Sequence, residues 1–99
     1  MSAKLTPPIS LPDANNLRQI LAYWLRLHRV RKGWSQERLA FECDLDRTYV
    51  SAVERLQWNV SLSNLERFAQ ALGVPPWTLL APPQAKAQTL AEVNTAAGP

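Results

Sequence analysis

Ninety-nine residues with a hydrophobic share of 46% make one ordinary globular domain, part of whose chain will not reach its core. Lysine and arginine number 11 against 8 aspartates and glutamates, for a net charge of +3, a balance that suits an anionic partner. One cysteine, Cys43, and one histidine, His28, exclude an internal disulfide and a cysteine-based zinc site and leave metal chemistry with almost no ligands.

With no Cys/His pair, no serine beside a base and no glycine-rich phosphate loop, the expectation is a protein that is not an enzyme, with no cofactor and no small-molecule ligand. No apolar run approaches the roughly 20 residues of a membrane span, and the N-terminus lacks a signal peptide's apolar segment. The expected place of work is a reducing cytoplasm.

Prolines gather toward the two ends, and between residues 16 and 74 there are none. Residues 1–15 therefore read as a flexible N-terminal arm, 16–81 as the helical domain and 82–99 as a flexible Ala/Pro-rich tail. In the first predicted helix, 17–32, Leu17, Ile20, Leu21, Trp24, Leu25 and His28 keep to one face, with Asp13 or Asn15 as cap and Gly33 as stop. Ser35 caps a second helix, 36–43, whose inward residues are Leu39, Ala40 and Cys43.

Asp44-Leu45-Asp46 breaks that helix, and Asp46 caps a third, 47–56, gripping inward with Val50 and Val53. After Gln57-Trp58-Asn59-Val60, Ser61 caps a fourth helix, 62–72, with Leu62, Leu65, Phe68, Ala69 and Leu72 inward and Gly73 as stop. Pro76 suits the first turn of a short fifth helix, 76–80.

Residues 36–55 carry the functional signal. Two short helices on a three-residue turn must cross steeply, which demands a small residue at the crossing, and Ala40 supplies it. Leu45 plugs the turn, and Arg47, Thr48, Ser51 and Arg55 stay on the outer face. A polar-tipped helix held at that angle has the form of a helix that enters a DNA groove.

The segment 21–80 resembles the Cro/CI-type (lambda-repressor-like, or XRE) helix-turn-helix family. The resemblance rests on Leu25-Arg26, Arg29, Gly33-Trp34-Ser35-Gln36-Glu37, Leu39-Ala40, Tyr49-Val50-Ser51, Glu54-Arg55, Ser61-Leu62, Leu65, Phe68-Ala69 and Ala71-Leu72-Gly73-Val74. Asn59-Val60-Ser61-Leu62 is similar to the restriction–modification controllers among its members. The chain departs from the pattern at Asp44 and Leu56, where the family usually has glycine, and at Val60, often proline. Aspartate tolerates a left-handed turn better than most residues.

The resemblance implies an all-α, five-helix, lambda-repressor-like domain that regulates transcription, as a repressor or autoregulator. It would bind double-stranded DNA at a palindromic operator as a homodimer. The residues opening the third helix would contact bases: Arg47, Thr48, Ser51 and Ala52. Arginine's fork matches guanine O6 and N7, and threonine or alanine can touch a thymine methyl. Gln36, Arg55, Asn59 and Trp58 would meet the backbone. For Arg47 a phosphate contact stays open, and for Trp58 so does a role covering the core edge.

Arg29 and Glu54 match a family ion pair that sets the tilt of the third helix. The dimer surface is expected at Trp77, Leu79 and Leu80, with closure of the subunit core as the other reading of the two leucines. A protein- or RNA-contacting adaptor is the alternative to a DNA-binding regulator.

Overall fold

A computed structural model describes residues 5–83. Within these residues the fold is all-helical: α1 spans Leu17–Arg31, α2 Gln36–Cys43, α3 Arg47–Glu54 and α4 Leu62–Leu72, followed by a 3-10 segment, Pro76–Leu80. The count of five α-helices is corrected to four. The last element winds as 3-10: the Thr78 N–H bonds the Pro75 carbonyl, three residues back.

The element boundaries follow from side-chain chemistry. Ser35, Asp46 and Ser61 each accept a hydrogen bond from the first turn of the helix they precede, as expected. For α1 the cap is Asn16, which accepts from Gln19; Asp13 instead closes the preceding turn through the N–H of Asn15. Gly73 ends α4 in the left-handed region, at φ 74°.

The helix-turn-helix stands as read. Leu39 and Ala40 from α2 are buried against Val50 and Val53 from α3, with Ala40 only 3% exposed at the crossing. Asp44 takes the left-handed conformation (φ 58°, ψ 44°), and the Leu45 N–H reaches back to the Ala40 carbonyl at 2.9 Å. Leu45 packs half-buried over this turn. The turn after α3 uses the same device with Leu56 at φ 63°, followed by Gln57 N–H to Ala52 O at 2.9 Å.

Phe68, Ile20, Leu25, Leu39, Leu79 and Val50 are the largest fully buried side chains, drawn from every helical element. Leu17 and Leu62, both expected inward, are 59% and 75% exposed. Each is the first residue of its helix and projects beyond the core's edge. Residues 5–12 pass beside α1 without regular secondary structure, and the expected tail falls, from residue 84 on, outside the described residues. Among the described residues no helix is long and apolar enough to cross a membrane.

Candidate nucleic-acid interface

α3 is held at its C-terminal end by a buried ion pair. Arg29, 5% exposed, donates from Nε to Glu54 Oε2 at 2.8 Å and from Nη2 to Glu54 Oε1 at 2.9 Å. Its Nη1 bonds the Trp34 carbonyl at 2.9 Å, so the fork also ties down the chain entering α2. Gln36 Nε2 donates to Glu54 Oε1 at 3.1 Å, which joins the first residue of α2 to the same carboxylate. A bidentate guanidinium–carboxylate pair with further hydrogen bonds is the arrangement that fixes geometry rather than merely adding attraction.

The outer side of α3 is different. Arg47 is exposed, and its side chain makes no hydrogen bond or ion pair among the described residues. Thr48 is exposed, with its hydroxyl donating to Asp46 Oδ1 at 2.6 Å and its N–H to the same oxygen at 2.9 Å. Those two bonds, the hydroxyl's first, hold the fully exposed Asp46 carboxyl below its ordinary range, so the cap stays ionised. Ser51 is half-buried and accepts from Arg55 Nη1.

Ala52 must be removed from the presented set. It is 3% exposed, buried with Val50 and Val53 on the inward part of α3.

Beyond α3, Arg55 is exposed and also reaches Gln57 Oε1 at 3.2 Å. Asn59 is exposed and held by Arg18, whose Nε donates to Asn59 Oδ1 at 2.8 Å. Trp58 is 50% exposed and tilts against Tyr49, centroid to centroid 5.7 Å. Tyr49 in turn accepts from Asn64 Nδ2 at 3.0 Å. Arg47, Thr48, Ser51 and Arg55 thus lie on α3 or at its cap, with Gln36 opening α2 and Trp58 and Asn59 in the loop after α3, none of them fully buried. Arg18 and the Tyr49–Asn64 pair were not read from the sequence, because side chains 41 and 15 positions from their partners leave no local pattern.

Around the 3-10 segment the three expected interface residues part company. Leu79 is fully buried, packed in the core with α1 and α4 residues, and so cannot face a partner. Trp77 is 69% exposed above an apolar hollow of about 340 Å³ that includes Trp24, Val74 and Pro82. Leu80 is half-buried and borders a second hollow of about 320 Å³ with Leu17, Trp58 and Leu62.

Neither lone reactive group is poised for chemistry. Burial pushes the Cys43 thiol up to about 11, with Glu42 adding and Arg67 opposing, so the nucleophilic thiolate is scarce. Burial, then Arg31 and Lys32, pushes the half-buried His28 imidazole below its usual value while it stacks on Trp24.

Two crossed helices on a left-handed turn, the second carrying a polar outer face and anchored by a buried ion pair, define a helix-turn-helix module. Residues 25–76 match the helix-turn-helix family, and the chain belongs to it, as a transcription regulator of the Cro/CI (XRE) type. A "hypothetical transcription factor" of Neisseria meningitidis serogroup B is 63% identical over 84 residues, 85% of this chain and 79% of its own length. The crystal structure of the Neisseria factor covers 93% of this chain and 99% of its own, at a TM-score of 0.81 and 58% identity.

Control protein C.BamHI of Bacillus amyloliquefaciens is 52% identical over 67 residues, spanning 67% of this chain and 83% of its own. The restriction–modification controller C.Esp1396I, solved on a 19-base-pair DNA duplex, superposes at a TM-score of 0.59 with 33% identity, covering 64% and 84% of the two chains.

Proposed function

We propose that this chain is a sequence-specific DNA-binding regulator, a repressor or autoregulator in the manner of the controller proteins. It binds a palindromic operator as a homodimer and works at the nucleoid in the cytoplasm. The observation that carries the reading is the contrast on α3: Glu54, its last residue, is fully engaged by Arg29 and Gln36, while Arg47 stands exposed and uncommitted at its first position. A cation at a helix N-terminus opposes the dipole, so its presence calls for an external anion or base edge.

In this reading α3 enters the major groove, where Arg47, Thr48 and Ser51 meet base edges. Gln36, Arg55, Asn59 and Trp58 meet the backbone. The DNA complex of C.Esp1396I, on a related fold, supports it. A protein or RNA adaptor has less support, since it has no need of an exposed arginine beside Thr48 and Gln36.

One helix of eight residues reads only a few base pairs, so two-fold repetition supplies the remaining specificity. Half-sites then lie about 34 Å apart. The exposed Trp77 and the Leu80 edge are the apolar surface for the second copy. Sedimentation equilibrium checks this part: Trp77→Ala should weaken the dimer, and an unchanged dimer constant moves the interface elsewhere.

Selection of bound sites from random duplex DNA tests the function as a whole. The expected result is an inverted repeat with binding that falls with log[salt] at a slope near −5, for about six phosphates met. Failure to enrich any sequence, or binding to a partner protein instead, would overturn it.

A further inference from the structure

The N-terminal arm lies outside the matched helix-turn-helix segment, yet it runs to the edge of the candidate interface. Its base is fixed at the start of α1, where the Asp13 N–H donates to Gln19 Oε1 at 3.0 Å. From there it runs back along α1. Pro8 to Pro12 border a hollow of about 240 Å³ with Ala22, Tyr23, Arg26 and Leu56. Leu5 and Thr6 border the next one, of about 390 Å³, with Arg26, Arg29, Gln36 and Arg47. Pro7, Pro8 and Pro12 fix their own φ and offer no N–H, which keeps the arm extended at small entropic cost.

We infer that this arm is a DNA-contacting strap: Thr6 and its neighbours flank the cleft between α1 and α2 and meet the phosphate backbone beside each half-site. The inference rests on the function proposed above. The cleft stays open with Leu5 and Thr6 in place, so the arm walls it without filling it. The cleft's charges favour an anion. Arg47 is uncommitted, and Arg26, 44% exposed, reaches only to 4.0 Å from a carboxylate that Arg29 already engages. Among the described residues Glu37 is the one acidic side chain lining the cleft, while Glu54 is engaged by Arg29 and Gln36. Thr6 is exposed, so a charge placed there faces the cleft without disturbing the core. Duplex DNA is the anion because the cleft opens directly onto the first residue of α3.

The test uses full-length protein, its Thr6→Lys and Thr6→Glu variants, and a chain lacking residues 2–8, with thermal melting to confirm that each is folded. At low salt Thr6→Lys should tighten binding and Thr6→Glu weaken it, by about fivefold each, the size of one charge facing one phosphate in water. The difference should fade as salt rises. The truncation should weaken specific and random duplexes alike, as loss of a backbone contact does.

Tighter binding after truncation would overturn the inference by making the arm an obstruction. Unchanged binding in all three variants would overturn it by leaving the arm a packing element. In either case an Arg47→Ala variant that loses specificity leaves the proposed function standing. A wild-type chain that binds no duplex overturns both.

Discussion

The polar residues of α3 divide into two groups built on opposite principles. Toward α1 the helix presents Glu54, whose carboxylate is satisfied three times, by two nitrogens of Arg29 and by Gln36, in a site almost closed to water. On its exposed surface it presents Arg47, Thr48, Ser51 and Arg55, whose bonds are local or absent. Rigid attachment and free polar groups are both needed by a reading helix: the first sets its tilt, and the second leaves donors for an outside partner. The buried side is a matter of folding and the open side a matter of binding, so substitutions on them should separate cleanly.

The largest effect is expected behind the helix. Glu54→Ala leaves the Arg29 guanidinium buried without its partner, which should cost about 3–5 kcal/mol in denaturant unfolding. A loss below about 1 kcal/mol would mean that the pair is a surface feature and that something else fixes the tilt. Next comes the crossing of α2 and α3. Ala40→Phe should cost about 1–3 kcal/mol by overpacking, and the surviving folded fraction should bind DNA poorly because the helix is pushed off its angle.

The turn that ends α3 offers a smaller effect of opposite sign. Leu56 holds a left-handed backbone that glycine adopts freely, so Leu56→Gly should stabilise by about 0.5 kcal/mol, strain relief outweighing the extra freedom of the unfolded chain. At Asp44 the equivalent change should do less, since aspartate tolerates this region.

Smallest is the pH dependence carried by His28. Its folded-state pKa is depressed by burial and by Arg31 and Lys32, so the unfolded chain binds the proton more readily. Stability should therefore be full above the ordinary histidine value of about 6.5 and fall as the pH drops through it. His28→Leu should remove that decline, as followed by melting temperature between neutral and mildly acidic pH. Asp46 acts in a separate, lower window: its depressed pKa gives stability above the ordinary carboxylate range that is lost as pH falls through the folded value.

The same division explains what the sequence made legible. Caps, stops and core faces are local patterns, and Ser35, Asp46, Ser61, Gly73, Ala40, Val50 and Val53 take the places their spacing implies. The Arg29–Glu54 pair, 25 positions apart, was legible only through the family resemblance. What escaped depends on how elements meet. The helical period places Leu17 and Leu62 on apolar faces, but helix ends overrun the core, and both are exposed. Ala52 falls in the reading segment by position and is buried, while Leu79 falls in an apolar run and is consumed by its own subunit. Arg18's hold on Asn59 and the path of the arm along α1 have no sequence signature, because each joins segments that only the fold brings together.

The central claim is that the open side of α3 reads DNA, and one comparison tests it most directly. Wild-type protein and Arg47→Ala are titrated, at one salt concentration, against a selected duplex and a random duplex of equal length. The account predicts that Arg47→Ala loses about 1–3 kcal/mol on the selected duplex, relaxes preference at one base pair per half-site and is nearly unchanged on the random one. Equal losses on the two duplexes would reduce Arg47 to a phosphate contact, and an unaltered preference would contradict the claim.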